Sequence, residues 1–335
     1  MKRIAIILTI IITCGSTLTT AWAEKDFASA LNASILSFPP AVKVAGHGSF
    51  WAALPSPYSN NPACFVTLKT SYIPVKGGIY SEYGRVNFKE GPDVNIWTLN
   101  GIFSLGKGVI RLDYYRLDSN PVKSRVFGLK NEIEGQTFHI GYGHPINDKL
   151  SLGITWSPLY SSDVKFKLGN LNVAKGKSRS QWYRSFGLGM LYQPYKWLSL
   201  GLSYGHNKSK LKTTYSSVVD PKRTVDYPIT NLVRPGLVIQ PKLGTTIGVD
   251  WLWGQIDNER GKKYTFRQWY FGFEQYFNPY FALRVGSADG SPTAGSGIRW
   301  KNLIFDYAYI NQTAKDLKRH LGKSCTHLYT LTLYW

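Results

Sequence analysis

Beyond its N-terminal stretch the chain has no apolar run of roughly 18 residues, so no transmembrane helix can be written on it. Cysteine is scarce, with 3 in 335 residues, which excludes a disulfide-stapled scaffold. Acidic side chains are also few, 20 against 40 basic ones, for a formal net charge of +20. Such a surplus would suit nucleic acid, but the export signal described next argues against that partner. The 6 histidines, Cys64 and Cys325 show no metal spacing, and no nucleophile, base and acid group stands out. No metal, cofactor or enzymatic activity is therefore expected.

What is present is first a leader. Lys2 and Arg3 precede an apolar run from Ile4, and a polar stretch ends in Ala21-Trp22-Ala23, the layout of a secretory signal peptide over 1–23. Cys14 would be lost with it. Residues 24–62 lack a sustained period of two, carry Pro39-Pro40, and are rich in small and turn residues from Gly46 onward. They suit either a leader strand and loop or a plug lying inside a barrel.

From Ala63 to Trp335, segments of about ten residues with alternating character recur, as tilted membrane strands require. They fall near 63–73, 92–105, 108–118, 132–143, 149–165, 180–194, 197–212, 230–240, 243–255, 264–277, 279–287, 294–300, 302–311 and 326–335, about fourteen in all. Tight turns are expected at Lys107, His144 to Asp148, Tyr195-Lys196, Pro241-Lys242, Asn278-Pro279 and Lys301. Longer loops are expected at 74–91, 119–131, 166–179, 213–229, 256–263, 288–293 and 312–325. This alternation predicts an all-β, transmembrane antiparallel barrel in an outer membrane, with the turns and both termini periplasmic.

Within the strands, Leu150, Leu152, Ile154 and Trp156 alternate with Ser151, Gly153 and Thr155. Leu198, Leu200 and Leu202 alternate with Ser199, Gly201 and Ser203, and the closing stretch sets Tyr329, Leu331, Leu333 and Trp335 against Leu328, Thr330, Thr332 and Tyr334. The apolar sets should face lipid. By the same phase Lys69, Arg111, Asp113, His139, Arg234, Asp250, Glu274, Arg284, Arg299 and Asp306 point into the lumen. Glu274 and Asp306 could pair with Arg284 and Arg299, either leaving a guanidinium pair for a ligand carboxylate or stiffening the wall as an ion-pair network. Pro235 marks either a bulge or a lateral opening. Cys64, expected to begin the first strand, and Cys325, beginning the last, should sit at opposite rims as free thiols. Lysines and arginines crowd the long loops, where lipopolysaccharide phosphates or an anionic solute could meet them.

The spacing Gly46, Gly48, Phe50, Ala53 and Asn61-Pro62-Ala63 resembles the N-terminal segment of the outer-membrane long-chain fatty-acid transporter (FadL-type) family and its shorter PorV-type branch. Gly297 to Trp300, the stretch from Asn302 and Thr326-His327 look similar as well. The chain departs from the pattern at Pro55-Ser56-Pro57, where an acidic pair is usual, and at Cys64, where glycine is usual. The resemblance implies a barrel of fourteen strands over 63–335 with a plug over 24–62. It also implies passive uptake or export of hydrophobic or amphipathic small molecules through the plugged barrel. The PorV-type alternative is a binding scaffold for a protein partner or lipopolysaccharide that carries no solute.

Overall fold

The computed structural model describes residues 52–56, 59–68, 76–89, 93–119, 122–123, 129–168, 171–215, 223–226, 229–242, 244–257, 263–311 and 323–335. The leader over 1–23 lies outside them. The strands are β1 Gly77–Phe88, β2 Val94–Leu105, β3 Gly108–Ser119, β4 Val122–Lys123, β5 Leu129–Pro145, β6 Leu150–Leu168, β7 Leu171–Tyr195 and β8 Leu198–Tyr215. There follow β9 Arg223–Asp226, β10 Thr230–Ile239, β11 Thr245–Asp257, β12 Lys263–Asn278, β13 Phe281–Ala288, β14 Ser291–Trp300, β15 Leu303–Asn311 and β16 Ser324–Tyr334. One 3-10 helix, Pro62–Leu68, precedes them.

Each long strand pairs antiparallel with its chain neighbours, β8 pairs with β10, and β16 pairs with β1, so fourteen strands close into a barrel. The short β4 and β9 extend β5 and β8 at one end. Closure leaves no free edge, which is what allows a sheet to stand in a bilayer. Along the strands the side chains alternate as expected. Leu152, Ile154, Leu188, Leu200, Ile247, Phe271, Val285 and Leu331 are exposed on the outside, while Ser151, Ser199, Asp250, Glu274 and Thr330 are buried inside. Large aromatic side chains gather where the six short turns are, with Tyr195, Trp197, Phe277, Tyr280, Trp300 and Trp335 all exposed, as at a membrane interface.

Three sequence expectations are corrected. The described part of the expected first strand at 63–73 is not a strand: Pro62–Leu68 is a helix inside the barrel, and β1 runs through what was expected to be the loop 74–91. Among the described residues the first strand thus starts at Gly77 rather than at Ala63. The expected loop 288–293 is a two-residue hairpin in which Asp289 and Gly290 have φ of 51° and 78°, the double positive φ that an Asp-Gly turn supplies. The expected loop 166–179 is mostly strand, because β6 and β7 continue to Leu168 and from Leu171.

The wall is uneven. β6, β7 and β8 have 19, 25 and 18 residues, whereas β13 and β14 have 8 and 10, so one side rises well above the other. On the tall side the β6–β7 ladder stops at Trp156↔Phe186 and resumes at Ser161↔Arg179. The β7–β8 ladder stops at Ser185↔Asn207 and resumes at Ser180↔Ser209. Both ladders of β7 therefore carry an irregularity around residues 180–185, within a strand that continues through it. Pro235, by contrast, stays in register with Leu202 of β8, and the β10–β11 register is the same on both sides of it. It removes ladder bonds without opening the wall.

Candidate functional site

The lumen is organised by the segment around Asn61-Pro62-Ala63. Asn61 caps the helix: its Oδ1 accepts a hydrogen bond from the Ala63 amide at 3.1 Å, and Pro62 occupies the first helical position, where a missing N–H costs nothing. Its Nδ2 donates to the carbonyls of Ala52 (2.6 Å) and, on the wall, of Met190 (2.9 Å) and Leu202 (3.4 Å). One carboxamide therefore both starts the helix and ties it to β7 and β8.

The wall makes room for this segment with glycine. Gly143 pairs with Gly153, and Gly153 with Gly189, across β5, β6 and β7; Gly201 pairs with Gly236 across β8 and β10. A Cβ at Gly143 or Gly153 would run into Pro62, at Gly189 into Asn61 and Pro62, and at Gly201 into the backbone of Ala52 and Ala53. The absent side chains let two backbones approach, a recognised use of glycine in a strand. Cys64 lies inside this contact, fully buried. Burial pushes its thiol well above the usual range, the Ser59 hydrogen bond working against this and the Asp250 charge with it, so the thiol stays neutral and unreactive. Cys325 is a free thiol as well.

Among the described residues three buried arginines stand in the lumen. Arg111 holds Asp113 (Nε–Oδ1 2.7 Å) and donates to the Ser59 carbonyl (2.7 Å), with its guanidinium 5.1 Å from the Phe65 ring. Arg234 holds Asp250 at 2.9 Å and lies 4.1 Å over the Tyr270 ring, while Asp250 also accepts the Ala52 amide at 2.8 Å. Arg284 pairs with Glu274 on β12 (2.6 Å) and reaches across β14 to Asp306 on β15 (2.7 Å). It passes over Gly297, where a Cβ would meet both Asp306 and the guanidinium.

The sequence placed Arg111, Asp113, Arg234, Asp250, Glu274, Arg284 and Asp306 on the lumenal face, and they are buried there. His139 is also inside, its Nδ1 2.7 Å from the Ser157 hydroxyl. Arg299 does not join Arg284. It lies near the turn end, its Nε 3.4 Å from the Lys301 carbonyl, so the expected guanidinium pair does not form and Arg284 takes both carboxylates itself. Gly46, Gly48, Phe50 and Lys69 lie outside the described residues. Glu82, which accepts hydrogen bonds from Thr98 (3.2 Å) and Thr330 (3.1 Å), was missed because β1 reads as a loop. An apolar cluster completes the interior, with Leu54 beside Val238, Leu252, Ile256, Phe266 and Tyr270. Among the described residues no group of three or more histidine, cysteine or acidic side chains could hold a metal.

No protein-family model and no curated protein matches the chain in sequence. Among solved structures it is similar to the Ralstonia pickettii toluene transporter TbuX, at 12% identity over 89% of this chain and 98% of that one, with a TM-score of 0.58. It is also similar to the Pseudomonas putida toluene transporter TodX (11%, 88% and 96%, 0.52) and to a Pseudomonas aeruginosa FadL homologue (13%, 89% and 97%, 0.54). The closed barrel of fourteen antiparallel strands agrees with that likeness. The chain has the fold of the FadL-type outer-membrane transporters.

Proposed function

We propose that the chain is exported behind the leader over 1–23 and acts as an outer-membrane channel for neutral hydrophobic small molecules, its short turns and both termini in the periplasm and the segment ahead of Gly77 serving as its plug. The observation that carries this reading is the state of the lumenal charges. Each of the buried guanidiniums among the described residues, on Arg111, Arg234 and Arg284, is already held by a carboxylate. Buried acids outnumber them, with Glu82, Asp113, Asp250, Glu274 and Asp306 against those three. A carboxylate solute would lose its water and find no free cation among the described buried residues, which disfavours its passage. A neutral apolar solute meets no such barrier and finds the cluster around Leu252 and Phe266. The neighbouring TbuX and TodX are toluene transporters, and a solute of that character suits this lumen. The irregularity in the β6–β7 ladder, rather than Pro235, is where we place the way out of such a solute through the wall.

Uptake separates the alternatives. Cells carrying the protein should take up a neutral fluorescent aromatic amine faster than cells without it, and show no gain for a fluorescent fatty-acid carboxylate. A larger gain for the carboxylate would overturn the neutral-solute reading, and no gain for either would favour a scaffold that carries nothing.

A further inference from the structure

The outer wall around the closing seam of β1 and β16 is built in three tiers. In the middle tier six rings run in contact across four strands. Trp97 lies 4.4 Å from Tyr83, Tyr83 6.5 Å from Tyr329, Tyr329 5.3 Å from Tyr307, Tyr307 6.2 Å from His327, and His327 5.3 Å from Tyr309, all centroid to centroid. The Tyr307 hydroxyl is 3.0 Å from His327 Nδ1. On the side toward the short turns the tier is followed by exposed Leu99, Leu331 and Phe305. On the opposite side stand two exposed lysines, Lys89 and Lys323, joined by a backbone hydrogen bond of 2.8 Å from the Lys89 amide to the Lys323 carbonyl. Arg85 nearby is committed to Asp93 at 2.6 Å. Neither lysine has a carboxylate partner among the described residues.

We propose that this seam docks the lipid A part of lipopolysaccharide, with phosphate on Lys89 and Lys323, the glucosamine rings on the tyrosines, and acyl chains against Leu99, Leu331 and Phe305. The order of the tiers matches the order of groups in that molecule. Two unpaired ammonium groups at one level call for an anionic headgroup. Rings with polar tips suit the level between headgroup and acyl chain. A phospholipid would satisfy the outer tiers but would leave the six-ring row without a sugar face to stack on. The assignment rests on the orientation given above, with the short turns in the periplasm, since it puts the lysines at the outer leaflet.

The test uses the purified full-length barrel in mild detergent, titrated with Kdo2-lipid A, with dephosphorylated lipid A and with phosphatidylglycerol, and read by native mass spectrometry. One Kdo2-lipid A should bind per barrel, and Lys89→Ala with Lys323→Ala should weaken it about thirtyfold. Lys301→Ala, at the other end of the barrel, should leave it unchanged. Heat-modifiable migration confirms that each variant is folded; if the double variant is not, Lys89→Gln alone is read in the same way with a smaller drop. Equal binding by variant and parent, an equal drop for Lys301→Ala, equal retention of phosphatidylglycerol or of dephosphorylated lipid A, or a barrel dimer in place of the adduct would each overturn the site. Orientation is read separately, by an impermeant maleimide on intact cells carrying Lys89→Cys in a Cys325→Ser background. Labelling without lipid A binding sinks the docking site alone, whereas absence of labelling sinks the orientation and the docking with it.

Discussion

On the side of the lumen formed by β5 to β10, the wall presents glycines at Gly143, Gly153, Gly189, Gly201 and Gly236, and the volume they leave is filled by Ala52, Ala53 and the stretch from Asn61 to Val66 of the same chain. On the side from β12 to β15 the wall fills the space with its own side chains, above all Arg284 between Glu274 and Asp306. The first side is held by backbone contact and by the amide of Asn61, the second by charge. Their sensitivities should differ accordingly. Volume added to the first displaces a separate segment and spares the wall, whereas charge removed from the second strands two carboxylates inside it.

The largest effect is expected on the charged side. Arg284→Met should lower stability by about 3–5 kcal/mol, since it leaves Glu274 and Asp306 buried without their cation. Adding Glu274→Gln and Asp306→Asn should recover much of that loss. Urea unfolding of the reconstituted barrel measures both, and a single variant as stable as the parent would mean the triad does not hold this wall. Next is the outer face that both sides share. Leu331 is 55% exposed toward lipid, so Leu331→Lys should cost ~2–4 kcal/mol, while Leu331→Phe should change little. Thr332 is a poor comparison for this purpose, because at 0% exposure it sits in packed interior and a lysine there would be crowded as well. The smallest effect on stability is expected on the glycine side. Gly201→Val and Gly189→Val should cost about 1–3 kcal/mol as overpacking, yet make Cys64 reactive to maleimide in a folded barrel. If Cys64 stayed protected in both, the glycine row would not be what seats the segment.

How much of this was legible follows from the chemistry of each strand. Strands such as β6 and β8 announce themselves because lipid demands an apolar outer row, and Leu152, Ile154, Leu200 and Leu202 supply it. β1 was missed because its outward row is Ser81, Tyr83, Arg85 and Asn87, with Ser81 donating to the Thr98 carbonyl at 3.1 Å in place of an apolar surface. The run from Ala63 to Leu68 has the apolar content of a strand but lies inside the barrel, where Asn61 and Pro62 start a helix instead. Lumenal facing of the charged residues was readable from the period of two. Which arginine met which acid was not, since that depends on register: Arg284 sits opposite Gly295, and Gly297 opposite Asp306, so the space over β14 belongs to Arg284 rather than Arg299.

The pairing of β1 with β16 also bears on how the molecule assembles. Gly78 lies opposite Tyr334 and Phe88 opposite Ser324, eleven consecutive pairs without a shift. These partners are about 250 positions apart in the chain, so none of the bonds can form until nearly all of it has been made, and the entropy of closing so long a loop must be met in one step. Until then two strand edges of unpaired amides and carbonyls face the bilayer, where each unmet group is costly. The order of synthesis and the order of stabilisation are therefore opposed: the first strand made is among the last to be secured, and a chain truncated before Ser324 has no smaller barrel to settle into.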